Sequence, residues 1–229
     1  MWASDLSPPL VTKAPQLPPT WTWAGPYLGL NLGYSWGQWD SSGLIAGHPV
    51  NFDPKVDGWL GGAQGGYNWQ FGRWLLGVEG DIEKSGEQDS INTFIPGVPS
   101  ICKAHGCNCA PAIPAVDATS DWKFDWFSTL RGRAGFTYDR WLVYVTGGAA
   151  VGEAEFDTTV GSESKVKGGW TVGGGVEALI APHWSAKLEY LYLDLGSETF
   201  LASTPNWSMT TKIQDQVLRL GVNYQFGGI

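Results

Sequence analysis

Eight stretches of this chain repeat with a period of two, and that feature restricts the fold more than any other. Along an extended strand successive side chains point to opposite faces, so strict alternation separates two sets of residues. The first stretch sets Leu28, Leu30, Leu32, Tyr34 and Trp36 against Tyr27, Gly29, Asn31, Gly33 and Ser35. In the next two, Trp59, Ala63, Tyr67, Trp69 and Phe71 oppose Gln64, Asn68 and Gln70, and Trp74, Leu76, Val78 and Ile82 oppose Glu79, Asp81 and Glu83. Trp126, Leu130, Ala134, Phe136 and Tyr138 alternate with Thr129, Arg131 and Arg133. Trp141, Val143 and Val145 alternate with Tyr144 and Thr146, and Trp170, Val172 and Val176 with Thr171 and Glu177. Trp184, Leu188, Tyr190 and Tyr192 face away from Ser185, Lys187 and Glu189; Leu218, Leu220, Val222, Tyr224 and Phe226 face away from Arg219, Asn223 and Gln225. Two-residue turn signals such as Gly72-Arg73 and Asp139-Arg140 alternate with long polar stretches at 37–57, 84–121, 155–166 and 195–214. This is the expected pattern of an all-β, eight-stranded antiparallel up-and-down barrel with one quiet rim and one looped rim.

Which face meets solvent follows from composition. The minority face is built from Gly, Thr, Ser, Asn and Gln with few charges, whereas a water-facing surface is about 25–35% charged. Charged residues make up only 16% of this chain. An eight-stranded interior is just wide enough to be filled by side chains, so bulky aromatics from every strand would overfill it. Aromatic residues of the bulky set also cluster at strand ends. Trp69, Phe71, Trp74, Tyr138, Trp141, Trp184 and Phe226 fall near the short-turn rim, and Tyr34, Trp36, Trp59, Trp126 and Trp170 near the other. Two aromatic girdles bordering Leu, Val and Ala match two lipid–water interfaces, so a transmembrane barrel is expected rather than a soluble ligand-binding one.

The other face then lines the lumen with Glu79, Asp81, Glu83, Glu177 and Glu189 against Arg131, Arg133, Lys187 and Arg219. Nearly balanced charges in a narrow bore are expected to pair, because an unpaired one there is costly. A closed, charge-sealed lumen is the expected outcome, with a narrow passage for small solutes as the alternative. No stretch approaches the 18 apolar residues of a membrane-spanning helix. With a net charge of −8 and few Lys and Arg the chain is a poor nucleic-acid partner. His48, His105 and His183 fall in connections, with no triad spacing, so neither catalysis nor a cofactor is expected. Cys102, Cys107 and Cys109 crowd one connection beside His105; a disulfide from Cys102 is expected over a metal site. Asp40, Asp53, Asp57, Glu87 and Asp89 are expected as solvated surface charge. Organisation follows as a proline-rich segment over 1–21, the barrel over 22–226 and a tail over 227–229.

Gly25-Pro26-Tyr27-Leu28-Gly29-Leu30-Asn31-Leu32-Gly33-Tyr34, the run from Trp170 to Leu195 and the run from Val217 to Phe226 resemble one family. It comprises the small outer-membrane β-barrels of alphaproteobacteria, the porin-family or opacity-like surface proteins, similar in architecture to the OmpA barrel domain. The resemblance implies residence in the outer membrane among lipid and lipopolysaccharide, periplasmic termini, four extracellular loops and a structural and surface-antigen role. It also implies that Phe226 serves the barrel-assembly machinery, although Gly227-Gly228-Ile229 follow it. A mature start near Ala3 or Ser4, an N-terminal peptidoglycan tether, a homo-oligomer or lattice, and a haem-binding receptor role are further implications.

Overall fold

The computed structural model describes residues 22–45, 48–53, 55–95, 116–158, 161–200 and 208–226. Ten strands run through them: β1 (Gly25–Gln38), β2 (Asp40–Ile45), β3 (His48–Phe52), β4 (Lys55–Phe71), β5 (Trp74–Ile95), β6 (Val116–Tyr138), β7 (Trp141–Thr158), β8 (Gly161–Ala181), β9 (Trp184–Phe200) and β10 (Ser208–Gln225). Eight of them, β1 and β4 to β10, pair in sequence order, and β1 pairs back onto β10 from Tyr27↔Gln225 to Gly37↔Asp215, closing an antiparallel ring. The remaining hairpin, β2–β3, prolongs β1 and β4 beyond the ring, with β2 taking over the edge of β10 at Asp40↔Lys212.

At one end the strands join through two-residue turns. Gly72, Asp139 and His183 hold them with positive φ of 65°, 52° and 67°. A glycine carries that conformation without cost, and Asp tolerates it better than most residues. Backbone bonds then link neighbouring turns sideways: Thr137 N–H to Arg73 O at 2.8 Å, Leu179 N–H to Arg140 O at 2.9 Å and Gln225 N–H to His183 O at 2.7 Å.

The other end departs from expectation. The described residues of the stretches 37–57, 84–121, 155–166 and 195–214, expected as loops, are largely strand: β5 runs on to Ile95, β6 starts at Val116, and β7 and β8 stay paired out to Thr158↔Gly161. His48 accordingly lies in β3 rather than in a connection. Past the apolar belt both faces of a ladder meet water, so alternation loses its contrast while the hydrogen bonds persist. Bulges between Lys84 and Glu87, Phe124 and Trp126, and Ile213 and Gln214 mark where these extensions begin. An added residue there sharpens the local twist.

The apolar set faces outward. On β10, Leu218 and Leu220 are 44% and 64% exposed while Arg219 between them is 1% exposed. The girdle aromatics are exposed as a group, Trp59, Trp69, Phe71, Trp74, Tyr138, Trp141, Trp170, Trp184 and Phe226 among them. Trp36 sits at the exposure margin, and Tyr34 and Trp126 are half-buried. Trp126 turns aside because of the bulge beneath it and gives its indole N–H to Glu153 at 2.7 Å. From Trp59 to Trp69 along β4 is ten residues, which at about 3.3 Å per residue and a tilt of about 40° is an axial separation of roughly 25 Å. That equals the apolar band of a transmembrane barrel, about 25 Å tall.

Candidate functional site

The interior is stacked in three layers. Trp23, Leu75, Leu142, Tyr144 and Leu179 form an apolar cluster at the turn end. The segment leading into β1 is pinned there by Trp23 N–H, which donates to Gln70 Oε1 at 2.7 Å. Trp39, Val56, Leu60, Phe124, Phe127, Ala150, Leu191, Leu193, Leu195, Ile213 and Val217 form a larger one at the extension end. The Phe124–Trp126 bulge puts Phe124 and Phe127 on the same inner face, where their rings stack at 5.8 Å, and Trp39 meets Phe124 edge-on at 6.2 Å.

Between these layers lie all nine charged residues that the alternation assigns to the lumen. Each has 5% exposure or less. Arg131 reaches Glu79 at 2.5 Å, Asp81 at 2.8 Å and Glu189 at 3.2 Å. Arg219 reaches Asp81 at 2.8 Å and Glu189 at 2.6 Å and also bonds Glu83. Lys187 lies 2.9 Å from Glu79, and Arg133 lies 3.4 Å from Glu79 and 3.3 Å from Glu177. The nine therefore form one connected network. It carries four cations and five carboxylates, which leaves a formal excess of one negative charge.

Hydrogen-bond donors from β1, β6, β7 and β10 surround that excess. Tyr27 Oη donates to Glu79 at 2.6 Å, Tyr144 Oη to Glu189 at 2.9 Å, and Asn31 Nδ2 to Glu83 at 2.7 Å. Asn223 Nδ2 donates to Glu177 at 2.8 Å, and Thr129 gives its N–H and Oγ1–H to Asp81 at 3.1 and 2.9 Å. The Arg133 guanidinium sits between the rings of Tyr27 and Tyr144, 5.0 Å from each centroid. Two inward glycines leave room for those rings. A Cβ at Gly66 would fall 2.5 Å from Tyr27 Oη, and one at Gly175 would fall 2.8 Å from Tyr144 Oη.

Several participants escaped the sequence reading. Tyr27, Tyr144 and Asn31 had the correct inward parity but no charge to single them out. The upper apolar layer was missed although a signal exists. The inward phase of Ser185, Lys187 and Glu189 continues unbroken into Leu191, Leu193 and Leu195, so the face changes chemistry without changing register. Glu87, expected on the surface, is 2% exposed inside the barrel, because β5 runs on and carries the inward phase of Glu83 and Ser85 to Glu87. Of the described histidines, His183 stacks on Tyr224 at 5.7 Å in the turn between β8 and β9 and is not one of the nine network residues. Cys102, Cys107, Cys109 and His105 lie outside the described residues.

A closed antiparallel ring with an apolar exterior, two aromatic girdles and ionic groups turned inward defines a membrane β-barrel. The family model for the outer membrane protein beta-barrel domain matches residues 10–226, and the chain belongs to that family; its place is the outer membrane. It is similar to the 31 kDa outer-membrane immunogenic protein of Brucella melitensis biotype 1, with 31% identity over 226 residues, 90% of this chain and 85% of the relative. It is also similar to the 22 kDa outer membrane protein of Rhizobium leguminosarum bv. viciae, with 29% identity over 208 residues, 91% of this chain and 80% of the relative. Among solved structures, Neisserial surface protein A aligns with a TM-score of 0.48 and 14% identity, over 89% of this chain and 98% of the other. The attachment invasion locus protein Ail of Yersinia pestis aligns with a TM-score of 0.41 and 15% identity, over 87% and 99%.

Proposed function

We propose that this chain is a structural outer-membrane barrel whose lumen is sealed and whose long strand extensions face outward from the cell as a surface antigen. The observation that carries this reading is the layered interior: a nine-residue ion network lies between two apolar clusters, with every charged side chain engaged by a partner. An ion crossing the bore would have to displace charged groups that already neutralise one another, and to enter through an apolar layer. Sealing also leaves no open site for a reacting substrate, which favours a structural role over a catalytic one. Outward display of the extensions matches the usual arrangement of short turns in the periplasm and longer connections outside. The relatives named as immunogenic outer-membrane proteins support the antigen role.

Purified protein in planar bilayers is the test of the seal. Lasting openings are expected to be absent, and steady large-conductance steps would replace the sealed barrel by a solute passage. Protease shaving of intact cells tests display: cleavage within the extensions is expected, and cleavage confined to the short turns would reverse the orientation.

A further inference from the structure

Above the ion network, at the extension end, lies a second acidic pair that the network does not use. Glu87 on β5 and Asp215 on β10 are 2% and 3% exposed, and both reach the inner face of β1, where Glu87 bonds Ser35 and the Asp215 carboxyl lies over Gly37. Glu87 lies on the extension side of Lys84 on β5 and Asp215 on the extension side of Gln216 on β10, where the outward-facing residues turn from apolar to polar. Glu87 Oε1 accepts from Ser85 Oγ at 2.8 Å and from Ser35 Oγ, while Asp215 Oδ1 accepts the Gln216 N–H at 3.0 Å. The remaining oxygens, Glu87 Oε2 and Asp215 Oδ2, meet no donor among the described residues.

The groups facing the pair come from every neighbouring strand. β1 supplies Ser35 and the Gly37 backbone, and β4 supplies Asp57, whose charge repels Glu87. β5 supplies Ser85, β6 places Phe124 opposite Glu87, β9 places Leu193 opposite Asp215, and β10 supplies the Gln216 amide. None of these is a cation. Two ionised carboxylates buried at neighbouring inward positions of β1, with no counter-charge beside them, are strongly unfavourable. One proton between them removes the repulsion and satisfies both unmet oxygens. The neighbours are chiefly hydrogen-bond donors, which suits the single negative charge that remains.

We propose that Glu87 and Asp215 hold one proton between them and form an acid-closed latch beneath the extension-end roof of the barrel, which loosens as the pH rises. Its mechanical link is Gly37. A Cβ there would fall 2.8 Å from Trp39 Nε1 and 3.1 Å from Asp215 Oδ1, so the Trp39 indole and the Asp215 carboxyl crowd over the same backbone. Trp39 is the roof tryptophan of the upper apolar layer and the residue at which β1 passes into the β2–β3 hairpin. Burial first, and then the charge of the neighbour, hold the Asp215 carboxyl well above the ordinary carboxylate range; burial likewise raises Glu87. An acid whose folded pKa lies above its unfolded value contributes stability fully below the unfolded pKa and loses it as the pH climbs through the folded one. The latch is therefore shut on the acid side and weakest on the alkaline side.

Infrared titration in lipid vesicles reads the proton directly, through the carbonyl band of a protonated carboxylic acid. The native protein is expected to keep such a band at mildly acidic pH and lose it on passing to alkaline pH, while Glu87→Gln and Asp215→Asn each remove that component. Acrylamide quenching, taken as the difference from Trp39→Phe, reads the roof. Trp39 is expected to become more accessible as the band disappears, and Asp215→Asn, whose amide donates permanently, is expected to keep it protected at every pH. Should Asp215→Asn fail to fold, Glu87→Gln supplies the same comparison. A band left unchanged by both substitutions, or quenching that rises identically in Asp215→Asn, would overturn the latch. So would calcium or magnesium abolishing the band and protecting Trp39, because the pair would then be a cation site.

Discussion

Replacing Arg131 by Met tests the sealed lumen most sharply, because its consequence depends on whether water is present around it. Arg131 bridges Glu79, Asp81 and Glu189 at 2.5, 2.8 and 3.2 Å from the centre of the bore. Methionine is apolar and flexible enough to occupy much of the space, so the loss is chiefly electrostatic. Removing one member of a buried ion pair costs about 3–5 kcal/mol because a charge is stranded. Each of the three carboxylates keeps another cation: Lys187 for Glu79 at 2.9 Å, and Arg219 for Asp81 and Glu189 at 2.8 and 2.6 Å. That places the cost near the lower end, about 3 kcal/mol. With a urea dependence of about 2–3 kcal/mol per molar, the unfolding midpoint falls by roughly 1–1.5 M. The assay is urea titration in lipid vesicles, with the folded fraction read on unboiled gels. If the bore were full of water the same pairs would be solvated and worth about 1 kcal/mol or less, a shift below about 0.5 M. A shift that small would refute the dry network. Adding Asp81→Asn to Arg131→Met removes one stranded charge and is expected to recover part of the loss.

Other substitutions probe the remaining layers. Leu220→Arg, in the middle of the outward belt, is expected to cost about 2–4 kcal/mol in the same titration. Leu193→Ala opens a void in the upper apolar layer and is expected to cost about 2–5 kcal/mol, whereas a change within 0.5 kcal/mol would mean that the layer is loosely packed. Trp23→Ala removes the largest side chain of the turn-end cluster, and bilayer recordings are expected to show transient openings that the native protein lacks. At Gly148 a Cβ would fall 2.0 Å from the Leu130 carbonyl oxygen on β6. Gly148→Val is therefore expected to give little barrel that resists cold detergent on unboiled gels.

The transmembrane part was legible because a membrane imposes a contrast on each face. Leucine and valine outside against arginine and glutamate inside leaves a parity signal that survives residue by residue, as Leu218, Arg219 and Leu220 illustrate. Where the constraint is absent the sequence becomes silent. Residues 155–166 are mostly polar with no clean alternation and read as a loop, although the backbone stays paired from Gly152↔Lys167 to Thr158↔Gly161. The bulges were invisible for a related reason. A parity count through Asp125 assigns Phe124 outward with Trp126, and only the extra residue in the ladder returns Phe124 to the interior beside Phe127. Connectivity within the lumen also lay beyond the sequence. Alternation names which charges share the bore, but the pairing of Arg219 with Glu83 across 136 positions depends on ring closure.

The order of the three layers has a physical logic. Ion pairs hold a structure together strongly only where the effective dielectric is low, and water entering from either end would weaken all of them at once. In a barrel this narrow the ends of the bore are the only routes for that water. Leu191, Leu193 and Phe127 at one end and Trp23, Leu75 and Leu142 at the other therefore do more than fill space, because they keep the arginines and carboxylates between them in contact. The apolar layers and the ion network should consequently behave as coupled elements. Combining Leu193→Ala with Arg131→Met is expected to cost less than the two changes separately, since a wetted network has less to lose. Strict additivity in the urea midpoints would mean that the layers act independently and that the seal is not what gives the network its strength.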